Sequence, residues 1–115
     1  MSTPQIYHNP RCTKSRETLA LLKGKGVEPE IIEYLKSPPT QKELAAILKK
    51  LGLQAEDIIR KKESLFKEKF KGQKLNNNEW IKVLVENPVL IERPIVVTGK
   101  GAALGRPPEN VLAVL

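Results

Sequence analysis

The stretch Pro4-Gln5-Ile6-Tyr7-His8-Asn9-Pro10-Arg11-Cys12-Thr13-Lys14-Ser15 decides the fold. Residues 4 to 8 form a short strand-like run, and Asn9-Pro10 is a turn dipeptide that stops it. From Thr13, a residue able to cap, Ser15, Thr18, Leu19 and Leu22 recur at helical spacing, and Gly24 and Gly26 can end the helix. Glu30-Ile31-Ile32-Glu33-Tyr34-Leu35 reads as a second strand, broken by Ser37-Pro38-Pro39. This is a β-α-β unit, and Cys12 lies at the N-terminal edge of its helix.

Outward from that unit, Thr40 with Glu43 is a capping box, followed by Leu44, Ile47, Leu48 and Leu51 on one helical face that ends at Gly52. Ile58, Ile59, Leu65, Phe66 and Phe70 mark shorter helical pieces. Asn76 with Glu79 opens a further helix through Trp80, Ile81, Leu84 and Val85 to Asn87-Pro88. Pro94-Ile95-Val96-Val97 reads as a buried strand, and Ala102-Ala103-Leu104 beyond the Gly99-Lys100-Gly101 link as its hairpin partner. Pro107-Pro108-Glu109 opens a last helix with Val111, Leu112 and Leu115 on its apolar side.

The order β-α-β, helices, β-β-α predicts an α/β chain of the thioredoxin/glutaredoxin-like class. It has a mixed sheet of about four strands and a helical insertion over roughly residues 40–88. At 115 residues a single domain over 1–115 is expected. A doubly wound parallel sheet is disfavoured, because the tight glycine-rich link after Val97 requires an antiparallel pair.

Composition narrows the function classes. The chain is 40% hydrophobic and 29% charged, an ordinary globular balance. No apolar run is long enough to span a bilayer, and the first residues lack a secretory signal, so a cytoplasmic protein with no membrane partner is expected. A single cysteine cannot form an intramolecular disulfide, which agrees with a reducing compartment. The net charge of +7 favours anions. The lysines, however, are dispersed at helical spacing with glutamates among them from Lys61 to Lys71, as on a solvated surface. With five aromatic residues and no recognition signature, nucleic acid is not expected as a partner. One histidine and one cysteine make no credible metal site, and no cofactor-binding loop is present, so no bound cofactor is expected.

A cysteine at a helix N-terminus is favoured as a thiolate by the unpaired N–H groups and the macrodipole there. Arg11, Lys14 and Arg16 add positive charge if they turn inward, and His8 either ends the strand or pairs with the thiolate or its neighbours. The polar flanks of Cys12 argue against a place in the core. The same N–H groups, with the Ser15 hydroxyl, can receive a small oxyanion. Ser15 stands where a dithiol oxidoreductase would carry its second cysteine, so any redox turnover must be completed by an external thiol.

The segment from Ile6 to Arg16 resembles the active-site loop of the glutaredoxin-coupled arsenate reductase (ArsC) family. Tyr34-Leu35, Pro38-Pro39-Thr40, Ile59-Arg60-Lys61, Asn87-Pro88, Glu92 to Val97 and Gly105-Arg106-Pro107 resemble its further blocks in order, over nearly the whole chain. The resemblance is to a short member of a sibling branch. Arg11, Thr13 and Lys14 are larger and more basic than the usual cysteine flanks, and the C-terminal extension of longer members is missing.

The resemblance implies a reductase whose Cys12 attacks arsenate, glutathione then attacking the thiol-bound arsenic and glutaredoxin resolving the mixed disulfide as arsenite leaves. It casts Cys12, His8 and Ser15 as catalytic residues, Arg60, Arg93 and Arg106 as oxyanion ligands, and Pro94 as a cis-proline beside the cysteine. Forked guanidinium donors suit an oxyanion better than the point charge of lysine. Arsenate or a similar small oxyanion, glutathione and glutaredoxin are the implied partners of a monomer. Two alternatives share the fold: a regulator like the Spx family, binding RNA polymerase, and a glutathione-dependent thiol reductase with another substrate.

Overall fold

The computed structural model describes residues 3–115, which separate into two compact units, residues 3–37 with 93–115, and residues 38–92. The first unit holds the sheet. Its elements are β1 (Gln5–Tyr7), α1 (Thr13–Gly24), β2 (Glu30–Ile32), β3 (Ile95–Thr98), β4 (Gly101–Leu104) and a 3-10 segment, Pro108–Val114. The strand order is β2-β1-β3-β4, with β1 parallel to β2 and antiparallel to β3, and β3 antiparallel to β4. This is the mixed four-stranded sheet of the thioredoxin-like class.

Ile6 and Val96 are register partners and so face the same side of the sheet. Both are fully buried in a cluster with Leu22 of α1 and Val111 and Val114 of the 3-10 segment. Each such side chain contributes roughly 1.5–3 kcal/mol by leaving water. That shared core fixes α1 against β1, β3 and the 3-10 segment.

Two elements depart from the sequence reading. The second strand stops at Ile32 instead of Leu35, because β1 ends at Tyr7. The final backbone bond of that ladder runs from His8 N–H to the Ile32 carbonyl, and Glu33 then starts a turn that receives the N–H groups of Lys36 and Ser37. The last helix is a 3-10 segment instead of an α-helix, and it follows a cis Arg106–Pro107 bond.

The second unit is helical. It contains α2 (Gln41–Leu51), a 3-10 turn at Ala55–Ile58, α3 (Ser64–Lys69), α4 (Asn77–Glu86) and a 3-10 turn at Pro88–Leu90. Both expected capping boxes form: Thr40 with Glu43 starts α2 and Asn76 with Glu79 starts α4. Gly52 ends α2 in the left-handed conformation at φ 70°, which a glycine adopts without steric penalty.

Candidate active site

The loop after β1 carries the site. Cys12, not Thr13, is the N-cap of α1, with φ −93° and ψ 123°, and no side chain caps the helix by a hydrogen bond. Cys12 N–H donates to the Asn9 carbonyl at 3.0 Å, and the Arg16 N–H returns to the Cys12 carbonyl at 3.0 Å. Asn9 Oδ1 accepts from Arg11 N–H at 3.0 Å, which ties the turn to itself. The thiol is therefore held in place by backbone on both sides. With 8% of its surface exposed it is buried, contrary to what its polar flanks suggest.

Beneath the turn lies a buried polar relay. Asn9 N–H donates to Ser15 Oγ at 3.0 Å, and Ser15 Oγ lies 2.6 Å from His8 Nδ1. Burial, ahead of the opposing charge of Glu33 and the added charge of Arg16, lowers the His8 pKa below 6.5. Neutral His8 in the tautomer that leaves Nδ1 unprotonated accepts the Ser15 hydroxyl proton. The Ser15 hydroxyl is thus spent on the scaffold instead of being open to an anion. His8 does not reach the sulfur through any of these bonds; it acts through Ser15 on the loop.

Four groups favour the thiolate. Burial alone pushes the Cys12 pKa up. It is outweighed by the Ser15 N–H facing the sulfur, the charge of Arg93, the Lys14 N–H and the charge of Arg106, so that the pKa falls below the ordinary 9.0. Arg106 Nη1 approaches Sγ at 3.9 Å and also donates to the Arg93 carbonyl at 3.2 Å. The charges that act on the sulfur therefore come from the far end of the chain, not from its sequence neighbours. Arg16 is turned to the Pro10 carbonyl (2.9 Å) and Thr13 Oγ1 (3.3 Å), Lys14 pairs with Glu17 (3.5 Å), and Arg11 is exposed.

Arg106 is positioned by residues whose part the sequence does not announce. Gly105 N–H donates to the Pro94 carbonyl at 2.9 Å, and the preceding Arg93–Pro94 bond is cis. Thr18 Oγ1 donates to the Lys14 carbonyl at 2.8 Å and lies 3.4 Å from the Gly105 carbonyl. A Cβ on residue 105 would meet Thr18 Oγ1 at 2.5 Å and Pro94 Cγ at 2.8 Å, so only glycine fits. The signal available in the sequence was a polar Thr18 on the buried stripe of α1. Arg60 belongs to the second unit, where it donates to the Val89 carbonyl at 3.1 Å and pairs with Glu63 at 3.1 Å. Among the described residues no group of three or more His, Cys, Asp or Glu could hold a metal, and no helix is long and apolar enough to cross a membrane.

Known proteins resemble this chain over nearly its whole length. The profile of the ArsC family matches residues 7–114. The chain belongs to the ArsC family. An arsenate reductase of Haemophilus influenzae is 47% identical over 96% of this chain and 97% of its own length. The uncharacterized YfgD protein of Escherichia coli K12 is 50% identical over 96% and 95%. The solved structure of an arsenate reductase from Vibrio cholerae, 46% identical, superposes with a TM-score of 0.93 over 97% of each chain. Within this ArsC framework, Cys12, His8, Ser15, Arg93, Pro94 and Arg106 all fall in the sheet unit around one loop.

Proposed function

We propose that this chain reduces arsenate to arsenite, using Cys12 as the nucleophile and external thiols as the reductant. The observation that carries the proposal is the thiol itself: Cys12 caps α1 with its pKa lowered by the Ser15 and Lys14 N–H groups, Arg93 and Arg106. The same donors that favour a thiolate favour an incoming oxyanion, so nucleophile and electrophile are gathered at one helix end. Attack of Sγ on arsenic displaces an oxygen ligand as water and leaves a sulfur–arsenic(V) bond. Glutathione thiolate then attacks the thiol-bound arsenic and displaces a second oxygen as water. The two sulfurs then join as a Cys12–glutathione disulfide, and arsenic keeps the other electron pair and leaves as arsenite, arsenic(III). Glutaredoxin reduces the disulfide and returns Cys12 as the thiol.

In this reading Arg93 and Arg106 hold the oxyanion. His8 and Ser15 hold the loop that presents Cys12. A coupled assay with arsenate, glutathione and glutaredoxin tests the reaction. The parent turns over and Cys12→Ser loses roughly a thousandfold or more of the rate while keeping its fold, as loss of a nucleophile does elsewhere. Arsenate left unreduced by the parent, or equal rates for the two proteins, would overturn it. A glutathione adduct trapped on Cys12 and weighed by mass spectrometry identifies the reductant.

A further inference from the structure

Both phenylalanines and the single tryptophan of this chain converge in the helical unit, away from any role in the thiol chemistry. Phe66 lies on α3, Phe70 is the C-cap of that helix and Trp80 lies on α4, and the ring centroids are 6.2–6.5 Å apart in every pairing. The rings form the base of a cavity of about 460 Å³ bounded by α3, the loop after it and the first turns of α4. That volume is in the range of small-molecule sites.

The rim of the cavity is cationic. Lys67, Lys71 and Lys74 line it, are exposed and have no ion-pair partner among the described residues. Its one carboxylate, Glu56, is neutralised by Lys61 at 3.2 Å. The chain is folded to place this charge. Lys71 N–H donates to the Phe66 carbonyl at 2.9 Å and Gln73 N–H to the Phe70 carbonyl at 3.0 Å, while Gly72 between them sits at φ 84°. A left-handed residue here reverses the chain at the end of α3 and brings Lys71 and Lys74 back over the rings.

We infer that this basin binds a nucleoside phosphate, its base against the Phe66, Phe70 and Trp80 rings and its phosphate among the Lys67, Lys71 and Lys74 ammonium groups. An apolar floor of aromatic carbon, its ring planes inclined to one another by 32–64°, suits a heterocyclic base that packs face-on to one ring and edge-on to another. Three mobile ammonium groups on long stems suit a multiply charged phosphate at the rim. Inorganic oxyanions are a poorer match, because the basin has no nest of converging N–H groups like the one at Cys12. The inference does not rest on the reductase reading, since no residue of the basin is shared with the thiol site.

Trp80 is the only tryptophan, so its indole N–H resonance reports on the basin alone. Titration with AMP moves that resonance saturably, and added salt weakens the binding. Adenosine and inorganic phosphate, each carrying half of the ligand, bind at least roughly tenfold more weakly. The double substitution Lys67→Glu with Lys71→Glu, on exposed positions that leave folding intact, weakens AMP by roughly tenfold or more. Phe70→Leu weakens it by about fivefold, the lower edge of what a base gains on an aromatic ring. Cys12→Ser binds AMP as the parent does, which separates this site from the reductase proposal. The inference is overturned if AMP gives no saturable shift, if the charge-reversed protein binds as tightly as the parent, or if phosphate alone competes on equal terms.

Discussion

Three helices of this chain begin in contrasting ways. In α2 and α4 the first turn is closed by a full capping box, and an acidic residue, Glu43 or Glu79, stands in it. The N–H groups that every helix start leaves unpaired are satisfied by the protein itself. In α1 the cap is Cys12, no side chain closes the turn and no acidic residue stands in it. The electropositive end is left for a sulfur anion and its substrate. One physical feature of helices thus serves stability at two sites and chemistry at the third, and what α1 lacks in local capping it must gain from distant segments.

The largest break of this contrast is Gly105→Ala. The start of α1 is fastened from outside by Thr18 and the Gly105–Pro94 contact, and a methyl at residue 105 has nowhere to go. Overpacking of this kind costs about 1–3 kcal/mol. Urea denaturation should show that loss, and arsenate turnover should fall further than stability explains, because Arg106 is the next residue. Wild-type stability in Gly105→Ala would mean that the α1 end is not held in this way.

Arg106→Ala separates charge from fold. Removing a positive group 3.9 Å from the sulfur raises the Cys12 pKa, so alkylation at pH 7 slows and its pH profile moves toward the ordinary thiol range. The sign for stability follows. The pKa is depressed in the folded state, so between the folded value and 9.0 the unfolded chain binds more protons and stability rises with pH. That contribution disappears as the pH falls through the folded value. Arg106→Ala narrows this window and Cys12→Ser removes it, whereas α2 and α4 have no counterpart. An alkylation profile unchanged by Arg106→Ala would assign the thiolate to the helix end alone.

The capped helices respond through stability only. Thr40→Ala and Asn76→Ala each remove an acceptor of a first-turn N–H, 3.1 Å and 2.8 Å long, at a cost of about 1 kcal/mol. Thermal melting should register both, while the Cys12 alkylation rate stays at the parent value. A capping substitution that slowed alkylation would show that the two kinds of helix start are not independent.

The sequence discloses what is local and conceals what is not. The β-α-β order, both capping boxes and the Gly52 stop depend on residues within a few positions of one another, and the structure has them where periodicity puts them. The end of β2 is different, since only the length of its partner β1 sets it. At the site, Cys12 and its helix are legible, but charge composition pointed to Arg11, Lys14 and Arg16. The arginines beside the sulfur, Arg93 and Arg106, came only through family resemblance, because nothing near residue 12 in the chain says where residue 106 folds. The Ser15 hydroxyl reads as available for the same reason, whereas in the fold His8 and Asn9 engage it on both sides.

The smallest effect tests the contrast most directly, by turning α1 into a helix of the other kind. Cys12→Asp places a good capping residue at the N-cap, where its carboxylate can accept from the Lys14 and Ser15 N–H groups that otherwise face the sulfur. Arg106 supplies a partner for the new charge, which offsets part of the cost of burying it. The substituted protein should lose all arsenate turnover and yet gain about 0.5–1 kcal/mol over the parent at neutral pH. The gain should vanish as acid protonates the carboxylate, because its folded pKa lies below the unfolded value of about 3.9 and the stabilisation is lost as the pH falls through the folded one. A less stable Cys12→Asp protein would mean that the loop is shaped for sulfur alone, and that the open helix end is set by the geometry of the turn instead of by a missing cap.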